Sequence, residues 1–212
     1  LQELTSYNKV LNQRNKLLKD IGFQPGLTET LDVWDMQLVS YGKKIISLRR
    51  QFMEELGEII RQIHSNLTGK KEEIRLLYEP DVEEKVFEEK LQSAREKDLR
   101  FRVTSVGPHR DDFCVQTNGI DIRKYGSQGQ QRTAALSLKM SEIYLVEKVT
   151  KDHPVLLLDD VLSELDSSRQ NYLLQSIHNI QTVITCTGLD ELIENNFSID
   201  RVFRVTEGKI DF

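Results

Sequence analysis

Two adjacent carboxylates, Asp159 and Asp160, directly follow an apolar run at residues 154–158. Such a run after a proline is typical of a strand that is buried on both faces of a parallel sheet. Open α/β sheets bind ligands at the carboxyl ends of such strands. Paired carboxylates there can hold Mg²⁺ and orient a water for nucleotide hydrolysis. The same pattern also fits a buried strand that ends in a solvated acidic turn.

A second candidate site lies upstream, where residues 127–132 read Ser-Gln-Gly-Gln-Gln-Arg and lead into a helical pattern at 133–149. Ser127 and Gln130 have the spacing of a capping box, which is a sufficient local reason for both. Gly129 indicates a further role, because glycine inside a first helical turn costs roughly 1 kcal/mol relative to alanine. It lets an anion approach the free N–H groups of the helix N-terminus. We therefore interpret this turn as a phosphate contact.

The chain after the two carboxylates predicts a βαβ crossover. Asp166 can cap a helix over residues 167–178, and residues 182–187 read as a second buried strand. If the two strands are neighbours, the hydroxyls of Thr185 and Thr187 lie beside Asp159 and Asp160.

The order of these parts resembles the carboxy-terminal half of ABC-type ATPases: Ser-Gln-Gly-Gln at a helix start, a strand ending in Asp-Asp, then Ser-Glu-Leu-Asp at 163–166. Transporter members usually have Glu-Pro after the first aspartate, whereas Asp160-Val161 is closer to the SMC-like DNA-repair branch. Within that branch the chain resembles the RecF family, which also shares the Gly-Pro-His-Arg-Asp-Asp-Phe motif at 107–113. Upstream residues that resemble this family include Tyr7, Leu11, Trp34, Leu38 and Gly42.

The resemblance implies an α/β fold: the carboxy-terminal part of an ABC-type, SMC-like ATPase with a parallel sheet core, plus an antiparallel helical arm. We expect the arm at residues 1–68 and the ATPase part at 69–212. The implied function is DNA repair and recombination in the SOS response, as a switch that dimerises with ATP on DNA and helps load recombinase at single-strand gaps. Implied partners are single-stranded DNA or a single/double-strand junction, RecR with RecO, and a second copy of the protein.

The resemblance also implies roles for individual residues, with ATP held between two protomers. Asp159 would bind Mg²⁺ and Asp160 would orient the attacking water as a base. Asp160 stands where relatives often have the longer glutamate, so we expect slow turnover. The implied nucleotide contacts are Ser127, Gln128, Gly129, Gln130, Arg132, Ser163, Asp166, Thr185 and Thr187.

The Gly-x-x-x-x-Gly-Lys-Ser/Thr loop that cradles phosphates in such ATPases is not found in this sequence. We therefore expect a carboxy-terminal fragment that binds ATP weakly by itself and does not hydrolyse it.

Apolar residues at three-four spacing predict two helices before residue 68, separated by a break at 22–26. In the first stripe, Leu4 to Ile21, Arg14 is an interruption. In the second, which begins at Leu31, heptad spacing includes Leu48 and Phe52. Such helices should pack antiparallel as an arm, which either supports the ATPase part or is a platform for DNA or a partner protein.

Basic residues predict DNA contacts through counterion release. Those on the arm are followed closely by glutamates, so a solvated mixed-charge face is the alternative. His109 and Arg110 suit either an anion contact or a lock on the neighbouring loop. The candidate DNA-binding residues are Lys43, Lys44, Arg49, Arg50, His109 and Arg110.

Between arm and core we predict a strand at 73–79, a charged helix at 82–99 and a strand-like segment at 100–106. A hairpin follows at 112–116 and 120–123, with its turn at Asn118-Gly119.

The composition is that of a cytoplasmic protein: 212 residues, 30% charged, with a net charge of −5. No apolar run approaches the roughly 20 residues that span a bilayer, and no targeting segment is visible. The acidic balance argues against a large nucleic-acid-binding face. Two other interpretations stay open: a protein-interaction module acting through the arm, or another SMC-like or transporter-type ABC ATPase.

Overall fold

The computed structural model describes residues 1–177, 179–187 and 199–211. No helix in these ranges is long and apolar enough to cross a membrane. The helices are α1 (Gln2–Ile21), α2 (Leu31–Leu67), α3 (Phe87–Ser93), α4 (Arg95–Phe101), α5 (Ile122–Tyr125), α6 (Gln128–Thr150) and α7 (Ser167–Ser176). The strands are β1 (Ile74–Glu79), β2 (Asp112–Thr117), β3 (Ile120–Asp121), β4 (Leu156–Asp159), β5 (Thr182–Thr185), β6 (Arg204–Thr206) and β7 (Lys209–Asp211). Short 3₁₀ turns lie at Pro25–Thr30, Glu84–Val86, Pro108–Arg110 and Leu162–Glu164.

The predicted helical arm is confirmed: α1 and α2 pack antiparallel. The Lys44 ammonium lies 3.3 Å from the Glu3 carboxylate, while Arg14, further along α1, pairs with Asp35, which lies earlier in α2. Apolar side chains fill the seam between the two helices, because the three-four spacing places them on facing sides. Buried members are Tyr7, Val10, Leu38, Val39, Ile45 and Ile46.

The predicted heptad stripe on α2 is wrong at Leu48 and Phe52, which are 56% and 47% exposed. Glu3, near the start of α1, already lies opposite Lys44. Leu48 and Phe52 therefore project beyond the first residue of α1, where that helix cannot cover them.

Arg14 does not interrupt the apolar stripe; it is fully buried and joins three segments of the chain. Its Nε donates to Asp35 of α2 at 2.6 Å. Its Nη1 donates to Asp98 of α4 at 2.7 Å and to the Thr104 hydroxyl at 2.8 Å. Arg14, Asp35, Asp98 and Thr104 are called the Arg14 cluster below. Buried charges are tolerated in proteins when they are paired in this way.

The segment after the arm departs from prediction in two places. The expected helix at 82–99 is divided into a 3₁₀ turn, α3 and α4, and the expected strand at 100–106 is absent from the described secondary structure. The Asp98 carboxylate accepts the backbone N–H of Ser105 at 2.9 Å and also binds Arg14. Residues 102–106 are therefore tied to the Arg14 cluster through side chains and do not form a ladder with another strand.

The predicted hairpin is confirmed as part of an antiparallel sheet with strand order β1-β2-β3. Its second strand is shorter than the predicted 120–123, because residues 122 and 123 already belong to α5. Ile74 pairs with Thr117 at one end, and Glu79 pairs with Asp112 at the other. The turn residues Asn118 and Gly119 have φ values of 51° and 80°. Positive φ at both central residues is the geometry that tight hairpins require, and Asn-Gly suits it best.

The predicted βαβ crossover is also confirmed, since β4 pairs parallel with β5 and α7 lies between them in the chain. One face of this two-stranded sheet packs through Leu158 into an apolar core with α6, α7 and the end of α2. The predicted burial of both faces is wrong: Leu157 is 73% exposed and Val183 is 55% exposed. No described element covers that second face. The predicted end of the intervening helix, residue 178, lies outside the described residues.

The long helix α2 contributes to the core of the arm and to the core of the crossover unit. Its first half packs on α1, and Ile63 and Leu67 in its last turns pack against Met140 of α6 and Leu173 of α7. The arm and the crossover unit are thus joined by one continuous helix. The domain boundary at residue 68 stays a prediction.

Replacing Arg14 with leucine should lower the free energy of unfolding by about 3–5 kcal/mol, because Asp98 would be left as a buried charge without its partner. Urea denaturation followed by circular dichroism measures the change. Lys16→Leu is the matched control on the same helix, since Lys16 is exposed and its replacement should change stability by about 0.5 kcal/mol or less. Equal effects of the two substitutions would contradict the role of Arg14.

Candidate functional site

The predicted carboxylate pair lies at the carboxyl end of β4, and Thr185 at the end of β5 organises it. The Thr185 hydroxyl donates to Asp159 Oδ1 at 2.5 Å and accepts the backbone N–H of Asp160 at 3.1 Å. Both carboxylates are exposed. One hydroxyl therefore orients the first acid and holds the backbone of the second, because parallel pairing places Asp159 beside Thr185.

Asp160 has a left-handed backbone, with φ of 51°. Few residues other than glycine adopt this conformation, and aspartate is among those that tolerate it. It turns the chain sharply out of β4 into the 3₁₀ turn Leu162–Glu164. The Ser163 hydroxyl donates to the Asp160 carbonyl at 2.8 Å and closes the turn. The side chain of Asp160 is thereby directed by local backbone geometry and not by burial.

Asp166 caps α7, as predicted. Its Oδ1 accepts the backbone N–H of Arg169 at 3.0 Å, and its Oδ2 pairs with the Arg169 guanidinium. Thr187, the other predicted hydroxyl of the β5 end, is exposed. The local role of Asp166 is thus accounted for by the helix cap, and a nucleotide role for either residue stays a prediction.

The turn before α6 forms a complete capping box. Ser127 Oγ accepts the Gln130 backbone N–H at 3.2 Å, and Gln130 Oε1 accepts the Ser127 backbone N–H at 3.0 Å. Ser127, Gln128 and Gly129 are exposed, as is Arg132. A Cβ added at Gly129 would have only Ser127 Oγ within 4.0 Å. Packing within the chain therefore does not require glycine at this position.

The structure places the predicted nucleotide contacts in two groups. Asp159, Asp160, Ser163 and Thr185 lie together at the sheet edge. Ser127 and Gln130 instead bond to each other, and the Gln130 amide also donates to Glu72 at 3.1 Å. Sequence analysis missed Glu72, which had no motif to identify it.

The basic residues of the arm mostly have partners within the chain. Arg49 binds Asp111 at 2.7 Å, Arg50 binds Glu83 at 2.6 Å and Lys44 binds Glu3. These pairs favour the mixed-charge face, because a cation with an intramolecular partner is a weaker phosphate ligand. Lys43 is only half-buried and no ion pair of its side chain is described.

In the motif at 107–113, His109 locks the loop and Arg110 faces solvent. His109 Nδ1 lies 2.7 Å from the Tyr7 hydroxyl, and its Nε2 lies 3.1 Å from the Thr104 carbonyl. Since a carbonyl only accepts, Nε2 carries the proton and Nδ1 accepts from Tyr7. Partial desolvation of the ring lowers the pKa of His109, which favours this neutral form.

Asp111 anchors the same loop through three donors. Its Oδ2 accepts from Arg49 and from the Tyr78 hydroxyl, and its Oδ1 accepts the Asp81 backbone N–H at 3.0 Å. Burial and the adjacent Asp111 carboxylate raise the pKa of Tyr78. Arg110 is thus the exposed cation of a loop whose neighbouring side chains are fixed on both sides.

No group of three or more potential metal ligands was found within the part of the chain that the structure describes. A cation at Asp159 would need oxygen ligands from another molecule. Mg²⁺ commonly binds in this way, through one or two carboxylates together with substrate phosphates.

The sequence of this chain is similar to those of known DNA replication and repair proteins. It is 58% identical over 211 residues to the DNA replication and repair protein RecF of Agathobacter rectalis, a match that includes 100% of this chain and 58% of the relative. It is 59% identical over 212 residues to the same protein of Lachnospira eligens, covering 99% of this chain and 58% of that relative. No family model matches the chain.

Among solved structures, the recombination mediator protein RecF-ATPrS in the RecFOR pathway superimposes with a TM-score of 0.84 at 36% identity. The match covers 99% of this chain and 57% of that one. The predicted fold class is confirmed by this likeness and by the parallel β4–β5 pair with its helical arm. The chain spans 58% of the curated relatives' length.

His109 should titrate with a midpoint below its ordinary pKa of 6.5. A histidine with a depressed folded pKa binds its proton more readily in the unfolded chain. Its contribution to stability is therefore complete above pH 6.5 and is lost as the pH falls below that value. NMR of the ring protons between pH 4 and 8, a range of about four units around the reference value, measures the midpoint.

The matched variant is Tyr7→Phe, which removes the hydrogen bond that Nδ1 accepts in the neutral ring. Because a bond to the neutral form disfavours protonation, its loss should raise the midpoint of His109. A midpoint above 6.5 in the parent chain would contradict the described loop lock.

Proposed function

We propose that this chain, which is similar along its whole length to DNA replication and repair proteins of the RecF type, supplies one part of an ATP site that two copies complete together. The observation that carries the proposal is the exposed pair Asp159 and Asp160, oriented by Thr185 at the end of a parallel strand. Ligands of open α/β sheets bind at this edge. A RecF relative has been solved as RecF-ATP, with 36% identity to this chain.

The turn before α6 is proposed to contact a phosphate of the nucleotide. The backbone N–H groups of Gln128 and Gly129 precede the first intrahelical bond of a 23-residue helix. The capping box binds the N–H groups of Ser127 and Gln130 and leaves these two unused. Helix N-termini with free N–H groups and positive dipole ends bind anions. The open space at Gly129 lets a phosphate oxygen reach this backbone.

We assign the turn to the nucleotide of the opposite protomer. Within one chain, Gln130 of the capping box is hydrogen-bonded to Glu72, whereas Asp159 is hydrogen-bonded to Thr185. Two exposed half-sites that do not join in one chain can both be used if a second copy presents its turn to the first copy's nucleotide. ATP-dependent dimerisation follows from this arrangement.

Asp159 is proposed to hold Mg²⁺ together with phosphate oxygens; the bound ion would neutralise the charge that develops on the phosphates. Asp160 is proposed to orient the attacking water and accept its proton. Its carboxylate is one methylene shorter than glutamate, so its reach is smaller and turnover should be slow. Slow hydrolysis suits a switch whose ATP-bound dimer must persist.

The remaining predicted contacts are proposed at the same interface. Ser163 and Asp166 flank the Asp160 turn and face outward, so they are placed to meet the second protomer. Thr185 or Thr187 is proposed to sense the terminal phosphate through the link to Asp159. Gln128 and Arg132 are exposed beside Gly129 and would contact the nucleotide there.

The open face of β4 and β5 is proposed to pack against the part of RecF that this chain does not span. Val155, Leu157 and Val183 are between 55% and 73% exposed on the described chain. Parallel sheets in α/β proteins are covered on both faces, and the chain spans only 58% of its relatives' length.

DNA is proposed as the substrate of the complete protein, with RecR and RecO as partners in loading recombinase at single-strand gaps or single/double-strand junctions. The supporting facts are the RecFOR pathway named for the solved relative and the exposed Arg110 in a rigid loop. Arg110 is our preferred DNA contact, with Lys43 second. Lys44, Arg49 and Arg50 are less favoured because each already has an acidic partner.

A protein-interaction role for the arm is a second candidate function. Its free end exposes large apolar side chains: Phe23 is 79% exposed, Met36 is 72% exposed and Val33 is 57% exposed. Val33 and Met36 are three residues apart on α2 and therefore lie on one face of that helix. Contiguous exposed apolar surface is typical of docking sites for partner proteins. This role is compatible with the nucleotide switch, because it uses the opposite end of the molecule from the α2–α6 contact.

Gly129→Ala should stabilise the chain while weakening ATP-dependent dimerisation. The added Cβ has room, and alanine in a helix is favoured over glycine by up to about 1 kcal/mol. The same Cβ would obstruct a phosphate at the turn. Urea denaturation measures the first effect. Light scattering with ATP, on a full-length RecF protein that contains this chain, measures the second.

Unchanged dimerisation of the Gly129→Ala protein would contradict the phosphate role of the turn. The matched control is Ala135→Ser, an exposed position further along the same helix, which should leave dimerisation unaltered.

Asp160→Asn in the same full-length protein should slow ATP hydrolysis by about 100-fold, the usual contribution of a general base. The ATP-bound dimer should live longer by a similar factor. Single-turnover hydrolysis and dimer dissociation measure these effects. The control is Asp152→Asn, an exposed acid before β4. An unchanged dimer lifetime in the Asp160→Asn protein would refute the assignment.

A further inference from the structure

The Glu72 carboxylate bridges the last turn of α2 and the first turn of α6. Its Oε1 accepts from the Gln130 side-chain amide at 3.1 Å, and its Oε2 faces His64 Nε2 at 3.3 Å. His64 is fully buried near the end of α2. Gln130 belongs to the capping box at the start of α6. A single side chain from the loop between α2 and β1 therefore links the two helices through polar contacts.

The donor and acceptor pattern explains why residue 130 is glutamine. The capping box accepts either glutamate or glutamine at this position, and the helix dipole would favour the charged one. Gln130 has to accept from the Ser127 N–H and also donate to Glu72. Only an amide does both, and a glutamate here would place two carboxylates in contact.

On the other side of Glu72, His64 is held by Ser137 of α6, whose hydroxyl lies 2.9 Å from Nδ1. Burial lowers the pKa of His64, whereas the adjacent Glu72 raises it and Arg169 of α7 lowers it. In the neutral ring, Nε2 carries the proton and donates to Glu72. The Ser137 hydroxyl has a single proton, which is shared between Nδ1 and the Thr133 carbonyl at 2.8 Å. The buried imidazole therefore restrains the side-chain conformation of Glu72 through its Oε2 atom.

We propose that Glu72 is a positioning residue: it sets the orientation of the Gln130 side chain, and through it the shape of the turn that meets the nucleotide. This inference rests on the proposed function of that turn. His64 anchors Glu72 to α2, and α2 extends along the whole arm. The arm and the nucleotide-contacting turn are thus connected by the polar path His64, Glu72, Gln130 and Ser127.

The contact is tested by exchanging its two partners. Gln130→Glu alone should lower the folding equilibrium constant about tenfold, because it creates a carboxylate pair beside Glu72. Glu72→Gln alone should lower it about threefold, because the new amide has one oxygen for two donors, and the bond from Gln130 or from His64 is lost. The double variant reverses donor and acceptor, with the new amide at position 72 still able to accept from His64. It should return to within about threefold of the parent.

Hydrogen exchange at Ser127 distinguishes a positioning role of Glu72 from a purely structural one, because a structural role would leave the exchange rate unchanged. The Ser127 backbone N–H is bound by Gln130 Oε1, so its exchange should accelerate about fivefold in Glu72→Gln. It should recover in the double variant. Glu73→Gln is the matched control, because that neighbouring acid pairs with Arg75 and not with α6. It should leave Ser127 exchange unchanged.

The inference would be overturned if the effects of Glu72→Gln and Gln130→Glu on stability were additive in the double variant. It would also be overturned if Glu73→Gln accelerated hydrogen exchange at Ser127 as much as Glu72→Gln does. ATP-dependent dimerisation of the full-length protein separates it from the proposed function. If Gly129→Ala weakens dimerisation and Glu72→Gln does not, the positioning role fails while the proposed function stands. If the cycle shows coupling and neither variant affects dimerisation, the proposed function fails while the contact between Glu72 and Gln130 stands.

Discussion

The buried guanidinium of Arg14 is the interaction on which the arm and its junction depend. It binds Asp35 of α2, Asp98 of α4 and the Thr104 hydroxyl, so three segments distant in the chain meet at one cation. Each acid also holds another group: Asp35 binds Arg95, and Asp98 binds the Ser105 N–H. Such a cluster specifies one register of the two helices, because a slip along the arm would leave charges buried without partners.

From this junction the chain reaches the Gly-Pro-His-Arg motif in a fixed shape. Thr104, a member of the Arg14 cluster, accepts through its carbonyl from His109, and His109 in turn accepts from Tyr7 of α1. Asp111 then ties the loop to Arg49 of α2. The motif is therefore a rigid extension of the arm, and its exposed arginine is presented by contacts that begin at the arm's core.

At the opposite end of α2, apolar and polar contacts cooperate. Ile63 and Leu67 pack into the core below the β4–β5 sheet, while His64 on the same turns reaches Ser137 and Glu72. One helix thus supports the sheet that carries the carboxylates and also the turn that begins α6. The two groups of site residues owe their relative placement to this shared support and not to direct contact.

Local patterns in the sequence were sufficient for the arm helices, the Asn118-Gly119 hairpin, the capping box and the βαβ crossover, because each depends on spacing or turn chemistry within a short segment. Segments whose structure depends on distant partners were predicted wrongly. Residues 100–106 alternate like a strand yet are tied to the Arg14 cluster, and Leu157 belongs to an apolar run yet faces outward. Arg14 looked like a break in a stripe, since its partners are remote in sequence.

The order of the motifs by itself indicated the resemblance to RecF proteins, the fold class and the candidate carboxylates and turn. Tertiary structure alone decided how they are held: Thr185 across the sheet orients Asp159, and Glu72 from a loop orients Gln130. The physical reason is that hydrogen bonds between side chains have short range and strict direction. Their partners are selected by the packing of α2 against α6 and of β4 beside β5, which no local pattern records.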